Sequence, residues 1–162
     1  MSERFATVQV GDVGTLMVAA DHSGVYLCDW LHGRHDLALV RESVDGDSIL
    51  SEAVRQLREY LDGQRREFTV PLCPDGTAFQ RTVWDALRSI PYGSTTTYGA
   101  IAAAIGRPTA VRAVATAIAA NPLSILIPCH RVLPATGGVG QYAGHPAAKR
   151  LLLRLEAANG HS

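Results

Sequence analysis

An abrupt change of local pattern at Pro74-Asp75-Gly76 constrains the fold of this chain more than any other feature. Before this point the sequence contains short runs rich in β-branched and aromatic residues, and beyond it such runs nearly vanish. A length of 162 residues suits one domain or two small ones that share an interface. We therefore predict an α+β fold with two domains, residues 1–74 and residues 77–162.

The first domain reads as a small sheet with a helix on one face. The pattern predicts three strands separated by hairpin turns, at residues 5–10, 15–20 and 25–30. A helix then begins at a cap on Asp47 or Ser48 and runs through Tyr60, because apolar residues recur there at four-residue spacing. Residues 67–72 return to a strand pattern. The predicted order is therefore βββαβ.

The second domain reads as mainly helical. Caps, apolar periodicity and stop signals predict four helices, at residues 77–90, 98–105, 108–120 and 146–158. The two middle helices are short and are joined by a turn that contains Gly106, which is the pattern of a helix-turn-helix. We expect a hydrophobic run at residues 125–127 to form a buried strand.

The helix predicted at residues 108–120 has unusually small side chains. Its larger apolar face is expected to pack in the core, through Val111, Val114 and Ile118. The opposite face, Ala113, Ala117 and Ala120, lies beside the lone charge of Arg112. A face this small can approach another surface closely, and it could lie deep in a nucleic-acid groove, including the minor groove.

The net charge of zero hides a division between the two domains. Residues 1–76 carry seven arginines and thirteen acids, a balance of −6, whereas residues 77–162 carry eight basic residues and two acids, a balance of +6. A polyanion could therefore bind the second domain while the first stays off it. A chance asymmetry is the simpler alternative.

The dipeptide Cys129-His130 follows the expected buried strand and is a candidate reactive site. A thiolate is the nucleophilic form of cysteine, and a neighbouring histidine can hold or remove the thiol proton. Glu156 is the only acid in residues 133–162, and it could orient His130 as the third member of a relay. Tyr142, within a glycine-rich segment, is a candidate stacking partner for a bound ring. Inert packing of Cys129 is the alternative.

The remaining composition indicates an ordinary intracellular protein. Three cysteines without regular spacing favour a reducing cytoplasm over a disulfide framework. The N-terminal residues lack the pattern of a signal peptide, and no apolar stretch is long enough to span a membrane. Nothing in the sequence requires a cofactor.

Several separated motifs resemble the O6-alkylguanine-DNA alkyltransferase family, and they cover nearly the whole chain. The central one is Ile127-Pro-Cys-His-Arg-Val132. The others, in order, are residues 76–87, 90–93, 97–102, 112–114, 121–122, 140–144 and 149–156. The resemblance implies a ribonuclease H-like N-terminal domain and a helical, winged-helix-like C-terminal domain. It also implies a monomer that binds duplex DNA, with possible cooperative assembly, flips out O6-alkylguanine and keeps the alkyl group on its own cysteine.

The resemblance also implies a role for each matching residue. Cys129 is the nucleophile, His130 activates it through a water, and Glu156 polarises His130. Tyr98 protonates N3 of the departing guanine, and Asn121 supports the turn at the site. The backbone carbonyls of Cys129 and Val132 accept the exocyclic amine of the base, and the amide of Ala143 approaches O6. The other residues expected to bind DNA or the base are Arg112, which fills the gap in the stack, Ala113 on the small face of its helix, Tyr142 and Lys149.

Two departures from the family pattern affect these expectations. Ala143 stands where many relatives have serine, so only its backbone amide is available. Some relatives bind structural zinc in the first domain, but Tyr26 occupies one ligand position here and Cys28 is displaced. Although His22, His32 and His35 lie near, we expect no metal.

Three other classes of protein stay open at this point. A lesion-binding protein without chemistry would have lost the cysteine, which this chain keeps. A Cys-His hydrolase would need an oxyanion hole, and it leaves the helix-turn-helix unexplained. A plain regulator would have no use for Cys129. The resemblance does not decide whether O4-alkylthymine is also a substrate.

Overall fold

The structure is a computed structural model, and it describes residues 4–31, 48–140, 142 and 145–160. The chain divides into two compact units, Met1–Asp75 and Gly76–Ser162. In the described part of the chain, no helix is long and apolar enough to cross a membrane. The mixed sheet-and-helix architecture confirms the predicted α+β class.

The first unit is built on an antiparallel sheet of three strands in sequence order. The strands are β1 (Arg4–Val10), β2 (Gly14–Ala20) and β3 (Val25–Trp30). Helix α1 (Ile49–Leu61) packs against the sheet through Leu50, Leu57 and Tyr60. The Ser48 hydroxyl accepts a hydrogen bond from the Ser51 amide at 3.0 Å, which fixes the start of the helix.

The strand predicted at residues 67–72 does not form. Only Leu72 pairs with the sheet, as an isolated parallel bridge to Val25. The Val25 amide donates to the carbonyl of Pro71 at 2.9 Å, and the Cys73 amide donates to Val25. Pro71 has no N–H to donate, so a ladder cannot continue through it. Cys73, directly after this bridge, is exposed.

The second unit begins with α2 (Ala78–Arg88), which Thr77 and Gln80 close with reciprocal capping bonds. The buried face of α2 packs on α4 (Val111–Ala119). There the indole N–H of Trp84 donates to the Ala117 carbonyl at 2.8 Å. This bond satisfies the polar edge of a buried tryptophan and fixes the spacing between the two helices.

Helices α3 (Tyr98–Ala104) and α4 form the two-helix unit that the sequence predicted, but α4 begins at a later residue than predicted. Thr97 caps α3, and Gly106 follows it with φ +78°, a left-handed value that favours glycine. Helix α4 begins at Val111 and not at Pro108. The Ala110 amide donates to the Arg107 carbonyl at 2.9 Å, so Pro108 lies in a turn before the helix.

The predicted faces of α4 and of the last helix, α5 (Pro146–Asn159), need correction. Val111, expected in the core, is 39% exposed, whereas Ala117, expected on the open face, is buried. The amphipathic pattern of the α5 sequence predicts an apolar face made of Ala147, Leu151, Leu152 and Leu155. The buried residues are Ala148, Lys149, Leu152 and Glu156. Two charged side chains therefore point into this unit.

Candidate active site

The segment before Cys129 is a tight loop and not the expected strand. Ile125 has φ +72°, a value that β-branched residues rarely adopt, and the Leu126 amide turns back to the Ser124 carbonyl at 2.9 Å. Asn121 holds the loop from inside. Its Nδ2 donates to the Ile127 carbonyl at 3.0 Å, and its Oδ1 accepts from the Leu123 amide at 2.9 Å.

Cys129 begins a short 3₁₀ turn, Cys129–Arg131, at the end of this loop. Its side chain is nearly buried, with 8% of the residue exposed, and it lines a cavity of about 480 Å³. Residues from three parts of the second unit complete the wall: Tyr98, Ala115, Ile118, Ala119, Asn121, Ser124, Pro134, Gly140 and Tyr142. The thiol is therefore placed at the wall of a cavity of the size that small ligands use.

His130 and Glu156 form a buried pair behind Cys129. The Nε2 atom of His130 lies 2.7 Å from Oε2 of Glu156, and both side chains are almost wholly buried. An ionised carboxylate can only accept, so Nε2 carries the proton in this bond. In the neutral imidazole Nδ1 is then the acceptor, which is the state required of a base.

Arg131 is the second partner of Glu156, and the sequence analysis gave it no role. Its Nε and Nη2 donate to the two carboxylate oxygens at 2.8 and 2.9 Å, a bidentate pair. The remaining nitrogen, Nη1, donates to the Ile90 carbonyl at 2.7 Å. A buried Glu156 requires a neutralising cation, and Arg131 is the one permanently charged residue of the central motif, so this pairing had a signal in the sequence.

The surroundings of His130 favour its neutral form. Burial is the largest cause and lowers the pKa of His130 below its ordinary value. The hydrogen bond and charge of Glu156 oppose this shift, while the positive charges of Arg131 and Lys149 lower the pKa further. At neutral pH the ring is therefore uncharged and able to accept a proton.

Tyr98, at the start of α3, brings a phenol to the same cavity as the thiol. The Thr97 cap fixes the first turn of the helix and so the position of Tyr98. Burial, and then the charge at Cys129, raise the pKa of the Tyr98 phenol above its ordinary value. The hydroxyl therefore keeps its proton at neutral pH and can donate it.

Lys149 does not lie where a DNA contact requires it. It is wholly buried, and its ammonium donates to the carbonyl oxygen of Val132 at 2.7 Å. Burial lowers the pKa of Lys149, and the neighbouring Cys129 acts in the opposite direction. A charge held inside the protein cannot pair with backbone phosphate, so of the DNA or base contacts expected of Lys149 only a contact to the base stays a prediction. The Val132 carbonyl, expected to accept from the base, already accepts from Lys149.

Arg112 and Ala113 lie on the exposed side of α4, away from the wall of the cysteine cavity. They line a separate groove together with Thr77, Phe79, Gln80, Thr109, Ala110, Thr116 and Ala117. Arg107 stacks over the Phe79 ring at 5.5 Å and places a second cation nearby. Small side chains and two arginines suit close approach to a polyanion.

Tyr142 is buried at the cavity wall, and its ring meets the His130 ring edge-on with centroids 6.4 Å apart. Ala143 lies outside the described residues, as do His32 and His35. Among the residues that the structure does describe, no three His, Cys, Asp or Glu side chains cluster as metal ligands would.

Comparison with known proteins identifies the class to which this fold and site belong. The family model described as "6-O-methylguanine DNA methyltransferase, ribonuclease-like domain" matches residues 9–74, and its DNA binding domain matches residues 78–158. The methylated-DNA–protein-cysteine methyltransferase of Methanosarcina acetivorans is 41% identical, over 90% of this chain and 94% of the relative. The chain therefore belongs to the 6-O-methylguanine DNA methyltransferase family.

Solved structures agree over the whole fold. The crystal structure of Mycobacterium tuberculosis O6-methylguanine methyltransferase is 37% identical, covers 99% of this chain and 96% of that one, and has a TM-score of 0.85. A structure of the Mycobacterium tuberculosis protein in complex with DNA is 39% identical, covers 96% and 94% of the two chains, and has a TM-score of 0.83.

Proposed function

We propose that this protein is a direct-reversal DNA repair enzyme that moves the alkyl group of O6-alkylguanine in duplex DNA onto Cys129. One observation carries the proposal: a nearly buried thiol lines a cavity beside a buried His130–Glu156 pair, and the Tyr98 phenol lines the same cavity. Each group matches a need of an SN2 displacement at an alkyl carbon. The family membership supplies the substrate class.

The proposed step transfers one group and balances its protons. His130 accepts the thiol proton, and the Cys129 sulfur attacks the alkyl carbon. The carbon–O6 bond breaks, its electron pair moves onto the guanine, and Tyr98 donates a proton to N3 of the base. The Glu156 carboxylate stabilises the imidazolium that forms. Because the product is a thioether, which water does not cleave, each molecule acts once.

DNA binding is assigned to α4. Its exposed side carries Arg112, Ala113 and Thr116, which are small or cationic, and the second unit as a whole carries a balance of +6. We propose that this helix enters the minor groove, that Arg112 fills the place of the flipped nucleotide, and that the protein binds as a monomer. O4-alkylthymine offers the same kind of alkyl carbon to the thiolate and is proposed as a secondary substrate.

A repair assay tests the proposal against its rivals. Duplex DNA with one O6-methylguanine, in molar excess over the protein, is incubated with the protein and digested to nucleosides, and the restored guanine is measured. The wild type should restore guanine in an amount no greater than the protein added, and Cys129→Ser should restore none. Lesion binding without restored guanine would favour a non-catalytic lesion-binding protein. Turnover of an ester by Cys129 would favour a hydrolase.

A further inference from the structure

Arg131 is a buried cation for which the transfer step has no direct use. It lies in the same 3₁₀ turn as Cys129 and His130 and is only 6% exposed. Each of its three guanidinium nitrogens donates a hydrogen bond to an acceptor inside the protein. Two of these bonds reach the carboxylate that also bonds His130. The third reaches the carbonyl of Ile90, beyond the end of α2.

The Glu156 carboxylate therefore bonds two different partners, the titratable imidazole of His130 and the permanently charged guanidinium of Arg131. Its oxygens accept from His130, from Arg131 and, at 3.3 Å, from the Gly93 amide. A buried carboxylate with only a histidine beside it would hold an extra proton within the pair, because a lone charge is costly to bury. A permanently charged guanidinium removes that tendency, since it keeps the carboxylate ionised at any ordinary pH.

We infer that Arg131 is a positioning residue that acts through Glu156: it holds the carboxylate with its fork and offsets the attraction of the carboxylate for a proton on His130, so that the ring stays unprotonated and able to take the thiol proton at neutral pH. The inference rests on the proposed function, since it concerns the proton that the transfer step releases. It gives the arginine of the central motif a role separate from DNA binding.

The other groups around His130 agree with this assignment. Cys129 and Arg131 flank it in the 3₁₀ turn, Lys149 and Glu156 face it from α5, and Tyr142 meets its ring edge-on. Glu156 is the only acid among them. Without Arg131, the attraction of Glu156 for a proton on His130 would be opposed only by burial and by Lys149.

Two substitutions of Arg131 can separate the effect of its shape from the effect of its charge. Its planar fork matches both carboxylate oxygens, and the guanidinium carbon lies 5.6 Å from the centre of the Tyr92 ring. Lysine in its place would keep the charge and lose the fork. Methionine would fill similar space and lose both. The two substitutions therefore separate the electrostatic effect from the positional one.

The test measures two pH profiles for each variant. One is the rate of transfer from O6-methylguanine duplex at saturating DNA. The other is alkylation of Cys129 by iodoacetamide without DNA, read at the Cys129 peptide because Cys73 is exposed and reacts as well. We expect Arg131→Met to move both half-maxima to higher pH by about one unit, with the rate recovering at alkaline pH. Arg131→Lys should keep the half-maximum and lower the plateau.

Two comparisons make the result specific. Arg154→Met removes an exposed positive charge from the same helix as Glu156 and should change neither profile. In a Glu156→Gln background, adding Arg131→Met should shift the half-maximum by less than it does in the wild type, because the carboxylate that Arg131 acts through is absent and only the direct charge effect of Arg131 on His130 remains. This double variant removes both members of the buried Arg131–Glu156 pair together, and Arg131→Lys keeps the test available where Arg131→Met alone does not fold.

The inference is overturned if Arg131→Met lowers the rate by the same factor at every pH, or if it shifts the half-maximum as far in the Glu156→Gln background as in the wild type. A half-maximum that moves in Arg131→Lys as far as in Arg131→Met would also overturn it. An iodoacetamide profile that shifts as expected in a protein that repairs no O6-methylguanine would instead refute the proposed function and leave the inference standing.

Discussion

The ammonium of Lys149 and the carbonyl oxygen of Val132 lie 2.7 Å apart in the interior, where neither residue reaches solvent. Val132 directly follows the 3₁₀ turn that carries Cys129, and it pairs with Thr96, next to the cap of α3. The buried lysine therefore fixes the short parallel pairing of Val132–Leu133 with Thr96–Thr97, which connects the thiol to the helix of Tyr98. Its role is in the shape of the site.

Substitution of Lys149 should separate catalysis from DNA binding. We expect Lys149→Met to lower the transfer rate, because the Val132 carbonyl loses its donor, and to leave affinity for lesion-free duplex within about twofold. Arg112→Met, which removes an exposed cation, should weaken that affinity and lower its salt dependence by about one phosphate contact. Fluorescence anisotropy at several salt concentrations measures the affinity and its salt dependence, and the repair assay measures the transfer rate. A loss of affinity in Lys149→Met equal to that in Arg112→Met would contradict the buried position.

The free energy of unfolding should decrease as the pH is lowered, and part of this decrease should come from His130. Its pKa in the folded protein is lowered below the ordinary 6.5, so between the two values the unfolded chain binds more protons. The free energy of unfolding should therefore decrease as the pH falls below 6.5, with a slope of at most about 1.4 kcal/mol per pH unit from this group.

Urea unfolding at a series of pH values measures that slope. His130→Gln should remove this contribution, whereas the exposed His22→Gln serves as a matched control and should keep the wild-type slope. Identical slopes in the wild type and in His130→Gln would mean that the ring does not resist protonation in the folded protein.

Asn121 should contribute to both stability and reactivity. Asn121→Ala removes the bonds to the Ile127 carbonyl and the Leu123 amide; the buried Leu123 amide loses its acceptor, and the Ile127 carbonyl keeps the bond from the Cys129 amide at 2.7 Å. We expect a loss of about 2 to 4 kcal/mol in the free energy of unfolding, together with slower transfer, because the loop sets the position of Cys129. Asn121→Asp, which keeps the acceptor and loses the donor, should also be destabilised. Chemical denaturation checks both, and wild-type stability in the two variants would refute the role of this loop.

Tyr98→Phe tests the proposed proton donor. The substitution keeps the ring in the cavity wall and removes the hydroxyl, so transfer from O6-methylguanine should slow by about 10²-fold. Binding to lesion-free duplex should stay unchanged. Single-turnover kinetics with saturating DNA separates the two, and a rate within twofold of the wild type would assign the proton to another donor.

Most of the correct predictions depend on contacts between residues that are close together in the sequence. Ser48, Thr77 and Thr97 all cap helices through their own side chains, and these bonds involve residues three positions apart. Such short-range contacts are visible in a pattern. Where backbone pairing depends on distant residues, as at residues 67–72, the pattern predicted a strand that the structure lacks.

The candidate site was also predicted only in part, because some of its contacts join residues that are far apart in the sequence. The thiol, the imidazole and the carboxylate are chemically distinctive, and their types suggest their pairing. Arg131 meets Glu156 across 25 positions and Ile90 across 41. Lys149 lies on a helix face that ordinary amphipathic reasoning assigns to solvent. Buried charges of this kind become visible only when the fold brings their partners together.

The central claim is that Cys129 is the acceptor of the alkyl group and is consumed by the reaction. Protein incubated with excess O6-methylguanine duplex is digested with trypsin, and the peptide that contains Cys129 is analysed by tandem mass spectrometry. We expect one methyl group on the sulfur of Cys129, approaching one per protein molecule, with none on Cys28 or Cys73. Restored guanine with an unmodified Cys129, or more lesions repaired than protein molecules present, would contradict it.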